Sequence, residues 1–321
     1  GLNGYQVCKI LKSDERTREV PIIFISALDT IQDKIKAFSM GGVDYITKPF
    51  HSEEITARVD SHLALRNLQR QLQDANLKME LEMKLAGEVQ MSYLPRDVPT
   101  IPGWHLAVTL KPARETSGDF YDINRLPNGR IGILIADVVD KGVSAALFMA
   151  LCYILIRTYA SDFSEQPELV FNAVNKRILE DTNAKQFLTA FYGILNPNSG
   201  EMIYSNAGQC PSLFFSAQHG SIVQTLLSTG PPLGVFDHQS WGQGSIHIAP
   251  GDVLVLYTDG IIEAQNHLGA FYGETRLLDS VSSHLGHSAE QVQAAILSDL
   301  NDFTGNITQQ DDIGLVIVQR K

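Results

Sequence analysis

An apolar stretch that ends on an acidic residue places the strongest constraint on the fold of this chain. Residues 131–136 read I-G-I-L-I-A, which predicts a buried strand, and Asp137 follows directly. The chain then turns through residues 138–142 into a second apolar run that predicts a helix. A carboxylate at the end of a buried strand costs free energy unless a cation or hydrogen-bond donors meet it. The fold must therefore bring such a partner to Asp137.

Three other places repeat this arrangement of acidic residues and apolar strands. Asp119 follows a Ser-Gly turn, Asp259 closes a buried strand, and Asp311 and Asp312 precede the last apolar strand. Each one alone is most simply a turn residue, because Asp beside Gly favours turns. If the strand ends converge, the four places form an all-oxygen cluster of the kind that Mg²⁺ or Mn²⁺ prefers. Structural carboxylates also cluster, so the spacing alone leaves a metal site and a structural cluster as open alternatives.

Five motifs, in this order, resemble the SpoIIE-like branch of the PPM-type metal-dependent serine/threonine protein phosphatases. They are S-G-D-F-Y-D at 117–122, A-D-V-V-D-K-G-V-S-A-A-L at 136–147, N-A-G-Q at 206–209, P-G-D-V-L-V-L-Y-T-D-G-I-I-E-A at 250–264 and Q-D-D-I-G-L-V-I-V at 310–318. The resemblance covers residues 88–319. It implies an α/β/β/α sandwich in which two Mn²⁺ or Mg²⁺ ions activate water for hydrolysis of phosphoserine or phosphothreonine.

The same resemblance implies the roles of individual residues. The expected metal ligands are oxygen atoms of Asp119, Asp137, Val138, Asp259, Asp311 and Asp312. In the family pattern Asp137 bridges both ions, Asp119 holds metal-bound waters, and the carboxylates of Asp119, Asp137, Asp259 and Asp311 are the catalytic set. Asp312 is the weakest member, since its position is more typical of a hydrogen-bonding support.

Four positions leave alternatives open. Arg114, five residues before Asp119, is a candidate for binding the phosphate, and a plain surface arginine is the alternative. Asp140 stands where relatives usually have Gly, and we expect it to cap the following helix rather than recruit a cation. Gly314 replaces a Thr whose hydroxyl would support Asp311, and Gln209 replaces a His in the family pattern. The main carboxylates are present, so we expect an enzyme; a pseudophosphatase that binds a partner under receiver control is the alternative.

Residues 1–64 predict alternating helices and strands of a parallel, flavodoxin-like α/β unit. Gly1–Gly4, 25–27 and 44–50 resemble the second half of a response-regulator receiver. In that family Ser26 and Lys48 would contact the phosphoryl group, and the Lys-Pro bond is usually cis. The phospho-acceptor Asp would lie ahead of Gly1, which predicts that residues are missing there. In this chain we therefore expect ordinary strand-end residues at both positions, with a sensor histidine kinase as partner of the intact receiver.

Residues 65–95 are predicted to be a helical linker before the catalytic unit, 96–321. Between Ser52 and Pro95 there is no Pro and one Gly, Gly87, so one helix of about 60 Å is expected at ~1.5 Å per residue. An apolar seam follows 3-4 spacing, with one breach at Glu82. Its members are Leu65, Leu68, Leu72, Ala75, Met79, Ala86, Val89 and Tyr93. The helix either packs on its own domains or forms a parallel homodimeric coiled coil, which we favour because a long exposed seam needs a partner.

The composition of the chain limits the classes of partner and the compartment that we expect. The net charge of −11 argues against a nucleic-acid partner. The three cysteines are scattered, as in proteins kept reduced in the cytoplasm. The most apolar segment, 143–156, is shorter than the ~20 residues of a membrane span, so we predict a buried helix and no membrane. A phosphorylated protein is the expected partner, and family context suggests an anti-sigma-factor antagonist.

Overall fold

The computed structural model describes residues 1–95, 97–182, 186–218 and 221–321. The chain divides into two compact units, 1–81 and 82–321. The division falls inside the segment 65–95 that was predicted to be a linker.

The first unit contains a short parallel sheet and its helices. Its elements are α1 (Gly4–Ser13), β1 (Ile23–Ser26), α2 (Ile31–Ser39) and β2 (Asp44–Thr47). The two strands are parallel, with Ile23 opposite Asp44 and Ser26 opposite Thr47, which confirms the predicted α/β arrangement. α1 begins at a capping box in which Asn3 and Gln6 each accept a hydrogen bond from the other's backbone N–H.

A single helix, α3 (Ser52–Met91), follows β2 and continues across the division between the units. It runs for 40 residues, as the absence of Pro predicts, and ends four residues before Pro95. The described leucines and methionine of the predicted seam are more than half exposed within this single chain: Leu65, Leu68, Leu72 and Met79. The apolar seam is therefore available to another surface.

The second unit is a sandwich of two five-stranded sheets. The first sheet has the order β10-β7-β6-β5-β4, made of β4 (Phe120–Arg125), β5 (Ile131–Val138), β6 (Leu188–Leu195), β7 (Glu201–Ala207) and β10 (Gly244–His247). The second has the order β3-β12-β11-β8-β9, made of β3 (Trp104–Lys111), β8 (Ser212–Ser216), β9 (Ser221–Leu226), β11 (Val253–Tyr257) and β12 (Ile313–Arg320). Neighbouring strands in both sheets are antiparallel.

Helices cover the outer face of each sheet. The first sheet carries α4 (Val143–Asp162) and α5 (Pro167–Asp181), and the second carries α6 (Asp259–Ile262), α7 (Gly273–Ser282) and α8 (Ala289–Thr304). β5 is buried on both faces: Ile133 and Ile135 pack between the sheets, whereas Leu134 and Ala136 pack under α4 and α5. A strand buried on both faces needs no polar alternation, which explains its continuous apolar run. The layers confirm the predicted α/β/β/α sandwich.

The helix after β5 differs from its prediction. α4 has 20 residues and extends to Asp162, so the expectation that this segment is too short to span a membrane was wrong. By length and composition it is the one helix among the described residues that passes such a test. Phe148, Met149, Tyr153 and Ile156 are buried on its inner side, in the core beneath the first sheet. Its place in the core accounts for the apolar residues on this inner side, whereas Leu147 and Ile154 of α4 are exposed.

Candidate metal centre

Four strand ends bring their carboxylates to one end of the sandwich. Asp119 directly precedes β4 and lies beside Asp137 near the end of β5, because Phe120 pairs with Ala136. Asp259 follows β11 and Asp311 precedes β12, and these two strands are neighbours in the second sheet. Side chains alternate along a strand, so Asp137 lies on the same face of β5 as the residues that pack between the sheets.

The charges of these carboxylates are close and poorly neutralised. Burial raises the pKa of Asp119 well above its ordinary value, and the neighbouring Asp137 raises it further. Burial, and then the charge of Asp259, raise the pKa of Asp137 to about 7. The pKa of Asp259 is raised by burial and then by Asp311. The proximity of Asp137 thus disfavours the charged form of Asp119.

The residues at this place fit a hard divalent cation. The donors are carboxylate oxygens, and the backbone contributes the Val138 carbonyl: a Cβ added at Gly118 would lie 2.9 Å from that oxygen and 3.5 Å from Asp137 Oδ1. Gly118 therefore leaves open the space that both oxygens face. An excess of buried negative charge with oxygen donors favours Mg²⁺ or Mn²⁺.

Within the described ranges, no three His, Cys, Asp or Glu side chains already surround one point as a ligand set. Asp119 and Asp137 are neighbours, and Asp311 forms an ion pair with Lys141, with 2.8 Å between Nζ and Oδ1. The described contacts therefore join the cluster in pairs.

Lys141 is a site residue that the sequence analysis missed. Besides its ion pair with Asp311, its Nζ donates to the carbonyl oxygen of Gln310 at 2.8 Å. Its charge also lowers the pKa of Asp259, although burial and acidic neighbours outweigh it. The signal available in the sequence was a lysine in the same turn as Asp137. Lys141 thus places a positive charge beside Asp311 and Asp259.

Asp140 does not cap α4, contrary to expectation. The N-cap of that helix is Gly142 and makes no side-chain capping bond. The Asp140 side chain instead accepts from the backbone N–H of Lys141 at 2.9 Å, and its φ is +85°. A positive φ favours Gly, which is the residue that the family pattern places at this position.

Thr258 supplies the hydroxyl that Gly314 lacks, but to a different carboxylate. Thr258 Oγ1 donates to Asp119 Oδ2 at 2.6 Å and accepts from the Gly314 N–H at 2.8 Å. A Cβ at Gly314 would lie 3.0 Å from the Thr258 methyl carbon and 3.3 Å from Asp119 Oδ2. The missing side chain therefore leaves room for the bond that orients Asp119.

Asp312 anchors the loop that carries Gly118. Its Oδ1 accepts from the Ala113 N–H at 2.7 Å, and its Oδ2 accepts from the Gly118 N–H at 2.7 Å and the Ser117 hydroxyl at 3.0 Å. Three donors satisfy both oxygens. We therefore interpret Asp312 as a positioning residue and not as the metal ligand that was expected.

Gln209 joins the two sheets next to the cluster. Its side-chain N–H donates to the Tyr257 carbonyl at 3.2 Å, and its Oε1 accepts from the Thr189 hydroxyl. Thr189 pairs with Asp137 across β5 and β6, and Tyr257 ends the strand before Asp259. Gln209 is buried, so it braces the strands that carry two of the carboxylates.

Arg114 lies in the loop before β4, close to the cluster. It is exposed, and it lines a shallow depression together with Ala113 and Gln310, the residue before Asp311. In the described part of the chain its side chain makes no hydrogen bond or ion pair. The position is compatible with a phosphate contact, which stays a prediction.

The end of α3 is hydrogen-bonded to the loop before Asp119. The Gln90 side chain is buried; it donates to the Ser117 carbonyl at 2.5 Å and accepts from the Ser117 N–H at 3.0 Å. One turn earlier on the helix, a Cβ at Gly87 would overlap the carbonyl oxygen of Glu115. Gly87 therefore permits the close approach that lets Gln90 reach Ser117, two residues from Asp119.

The two candidate residues of the receiver segment lie at adjacent strand ends. Ser26 Oγ accepts from the Leu28 N–H at 3.1 Å, and the Lys48 N–H donates to the Ser26 carbonyl at 2.9 Å. The Lys48–Pro49 bond is cis, as the resemblance implies. Both residues fit the expectation of ordinary strand-end positions, and their phosphoryl-binding roles stay predictions for an intact receiver.

The raised pKa of Asp137 predicts how the stability of the metal-free protein depends on pH. The folded chain binds this proton more tightly than the unfolded chain, because the pKa rises from 3.8 to about 7 on folding. The stabilisation is fully present below the unfolded pKa and is lost as pH rises through about 7. We expect the midpoint of thermal unfolding in EDTA to fall between pH 5 and 8. The slope should be smaller in Asp137→Asn; equal slopes in the two proteins would contradict this assignment.

Two family models match the chain. The one described as Stage II sporulation protein E (SpoIIE) matches residues 127–321, and the response regulator receiver domain matches residues 1–60. Protein IcfG of Synechocystis sp. is 28% identical over 319 residues, which cover 89% of this chain and 50% of IcfG. Phosphoserine phosphatase RsbU of Bacillus subtilis is 28% identical over 267 residues, which cover 81% of this chain and 74% of RsbU. The chain thus spans about half the length of IcfG.

Solved structures share the fold of the second unit. The SiaA-PP2C domain of Pseudomonas aeruginosa aligns with a TM-score of 0.68 at 21% identity, over 77% of this chain and 98% of that domain. The RsbU and RsbW domains of Rv1364c from Mycobacterium tuberculosis align with a TM-score of 0.59 at 25% identity, over 70% of this chain and 63% of that structure. With the SpoIIE match extending over more than half of its residues, the chain belongs to the SpoIIE family of PPM-type serine/threonine protein phosphatases and carries receiver-domain sequence ahead of the phosphatase unit.

Proposed function

We propose that this chain is a receiver-linked protein phosphatase that hydrolyses phosphoserine or phosphothreonine on a partner protein. The observation that carries the proposal is the convergence of Asp119, Asp137, Asp259 and Asp311 at one end of the sandwich. RsbU and RsbP of Bacillus subtilis, which are 28% and 27% identical to it, are both named phosphoserine phosphatases.

The proposed cofactors are two Mn²⁺ or Mg²⁺ ions, which would supply Lewis acidity and an activated water. Asp119, Asp137 and the Val138 carbonyl would hold them from the first sheet, and Asp259 and Asp311 from the second. Two other groups position Asp119 through direct hydrogen bonds. Thr258 bonds to its carboxylate, and Asp312 bonds to the preceding loop at Gly118. Lys141 and Arg114 are the cations available for a phosphoryl group, which carries the charge that cations stabilise during transfer.

The substrate and the input signal are proposed from the family context. We propose a cytoplasmic phosphoprotein, such as an anti-sigma-factor antagonist, as the substrate, and a sensor histidine kinase as the partner of the intact receiver. The carboxylate cluster suits hydrolysis of a phosphate ester, but a fold alone does not select a partner protein.

We also propose that α3 forms a homodimeric coiled coil. The exposed seam through Leu65, Leu68 and Leu72 is the supporting observation. Leu72→Glu is expected to shift the chain from dimer to monomer in light scattering at micromolar concentration, because it places a charge in the apolar seam. The exposed Gln73→Glu, on the next residue, should leave the mass unchanged. A wild-type monomer would contradict the proposal.

Hydrolysis of p-nitrophenyl phosphate by the intact chain, with and without Mn²⁺, tests the proposed activity. Metal-dependent turnover supports the enzyme. The second candidate is a pseudophosphatase that acts as a binding module, and the direct ion pair of Lys141 with Asp311 favours it, since a protein cation already occupies that carboxylate. No turnover, together with no heat of Mn²⁺ binding in calorimetry, would favour the module.

A further inference from the structure

A cleft of about 360 Å³ opens beside the carboxylate cluster. It lies between the end of α8, the loop at 305–311 and the segment 260–271. Asp311 and Lys141 are part of its lining, as is Gly260, the residue after Asp259. The cleft is therefore continuous with the candidate metal centre. The residues assigned so far to metal or phosphate binding line one end of the cleft. The residues that line the other end have no assigned role.

The lining of the cleft combines apolar, amide and charged side chains, and the charged ones are Lys111, Lys141, Glu263 and Asp311. Leu300 and Ile313 are buried beneath it, whereas Phe271 and Ile307 remain 58% and 39% exposed along it. Two exposed apolar side chains in one concavity lower their free energy if a ligand covers them.

The amide groups lining the cleft are available to a ligand. In the described part of the chain, the side-chain amides of Gln265, Asn301 and Gln310 make no hydrogen bond, and all three line the cleft. Each amide both donates and accepts. A polypeptide backbone offers the matching acceptors and donors, so the cleft suits an extended peptide better than a uniformly charged ligand.

We propose that this cleft binds the stretch of substrate polypeptide that flanks the phosphorylated residue, with an apolar side chain against Phe271 and Ile307. The inference rests on the proposed function, because a phosphoryl group bound at the proposed metal centre beside Asp311 would place the neighbouring substrate residues in the adjoining concavity. A volume near the lower limit of ligand pockets suits one or two side chains rather than a folded surface. The cleft thereby makes the enzyme selective for sequence beside the phosphorylated residue.

Three heptapeptides with a central phosphoserine test this inference on the full chain. One has glycine at all flanking positions, and the others carry leucine two residues before or two residues after the phosphoserine. We expect kcat/KM with Mn²⁺ to be about 10-fold higher for one leucine peptide than for the glycine peptide, equivalent to about 1.4 kcal/mol. Phe271→Ser should reduce that ratio to below about 2. Leu268→Ser, in the same hairpin, should retain it, because Leu268 is 79% exposed and does not line the cleft.

Each ratio compares two substrates on one protein, so a partly unfolded variant does not distort it. Dissociation constants of fluorescently labelled peptides that carry serine in place of phosphoserine, measured by anisotropy in EDTA, test the same leucine preference without turnover. Turnover of the glycine peptide with no leucine preference in either assay would overturn the cleft assignment alone. A leucine preference in binding without turnover of any peptide would support the cleft and overturn the proposed activity. Retention of the preference in Phe271→Ser would also overturn the cleft assignment.

Discussion

In the Asp137→Asn variant, manganese-dependent turnover of p-nitrophenyl phosphate is expected to fall by more than about 100-fold. Replacing a residue that only supports a metal ligand commonly lowers metal affinity or activity by about 10–100-fold, and Asp137 is a proposed ligand itself. Asp137 contacts Asp119 and interacts with the charges of Asp259 and Asp311, so it is the member of the cluster that joins both sheets. Asn keeps the size of the side chain but removes its charge and one acceptor oxygen. We expect weaker Mn²⁺ binding in calorimetry together with the loss of kcat.

Asp140→Asn is the matched control for this experiment. It removes a carboxylate three residues away, on the same turn, whose described contact is the Lys141 backbone N–H. An amide oxygen can accept that bond, so turnover should stay within about 3-fold. The Asp137→Asn protein should also remain folded, because the substitution removes one charge from a buried cluster of like charges. Unchanged turnover and unchanged Mn²⁺ affinity in Asp137→Asn would refute the central role of this residue.

The grouping of the four carboxylates was predictable because each one adjoins an apolar strand. Such strands are buried, and a buried strand delivers its terminal residue to a defined edge. The order of the strands within the sheets was not predictable from local patterns. Asp119 and Thr258 are separated by 139 residues and adjoin strands of different sheets, so only the packing of the two sheets brings that hydroxyl to the carboxylate. The resemblance places a hydroxyl at residue 314 to support Asp311, whereas the hydroxyl of Thr258 bonds to Asp119.

Lys141 and Asp140 show a second limit of sequence reasoning. Both lie in the turn after β5, where a single backbone angle decides the direction of the side chains. The positive φ of Asp140 moves it away from the helix cap. Lys141 then reaches residues 310 and 311, which are distant in the sequence. A local pattern predicts that a turn exists but does not specify which distant carboxylate it faces.

The linker illustrates the opposite case, since its helix and its seam follow from local sequence while its contact with the site does not. Gly87 is the one glycine between Ser52 and Pro95. The structure gives that glycine a steric reason, which is the carbonyl oxygen of Glu115 pressed against its Cα. The same approach lets Gln90 satisfy both backbone groups of Ser117. The segment that carries Asp119 is therefore held from one side by α3 and from the other by Asp312.

Gly87→Ala is expected to lower turnover about 100-fold, although it adds a single methyl group. The added Cβ overlaps the Glu115 carbonyl, so either the helix or the loop at 115–117 must move. A shift of about 1 Å in a catalytic group can cost about 100-fold in rate, and Asp119 follows this loop directly. Ala also raises helix propensity by up to about 1 kcal/mol relative to Gly, so the loss cannot be attributed to unfolding of α3.

Two companion variants separate the steric effect from the loss of the Gln90 bonds. Gln90→Leu leaves the Ser117 N–H and carbonyl buried without these partners, which costs about 1–3 kcal/mol, and should also lower kcat. Glu88→Ala, on the exposed side of the same turn, should leave turnover within about 3-fold. Circular dichroism establishes that each variant is folded, and kcat with Mn²⁺ is the measured quantity. If Gly87→Ala and Gln90→Leu both retain wild-type kcat, the end of α3 merely covers the loop, and a signal carried by the linker must reach the carboxylates by another route.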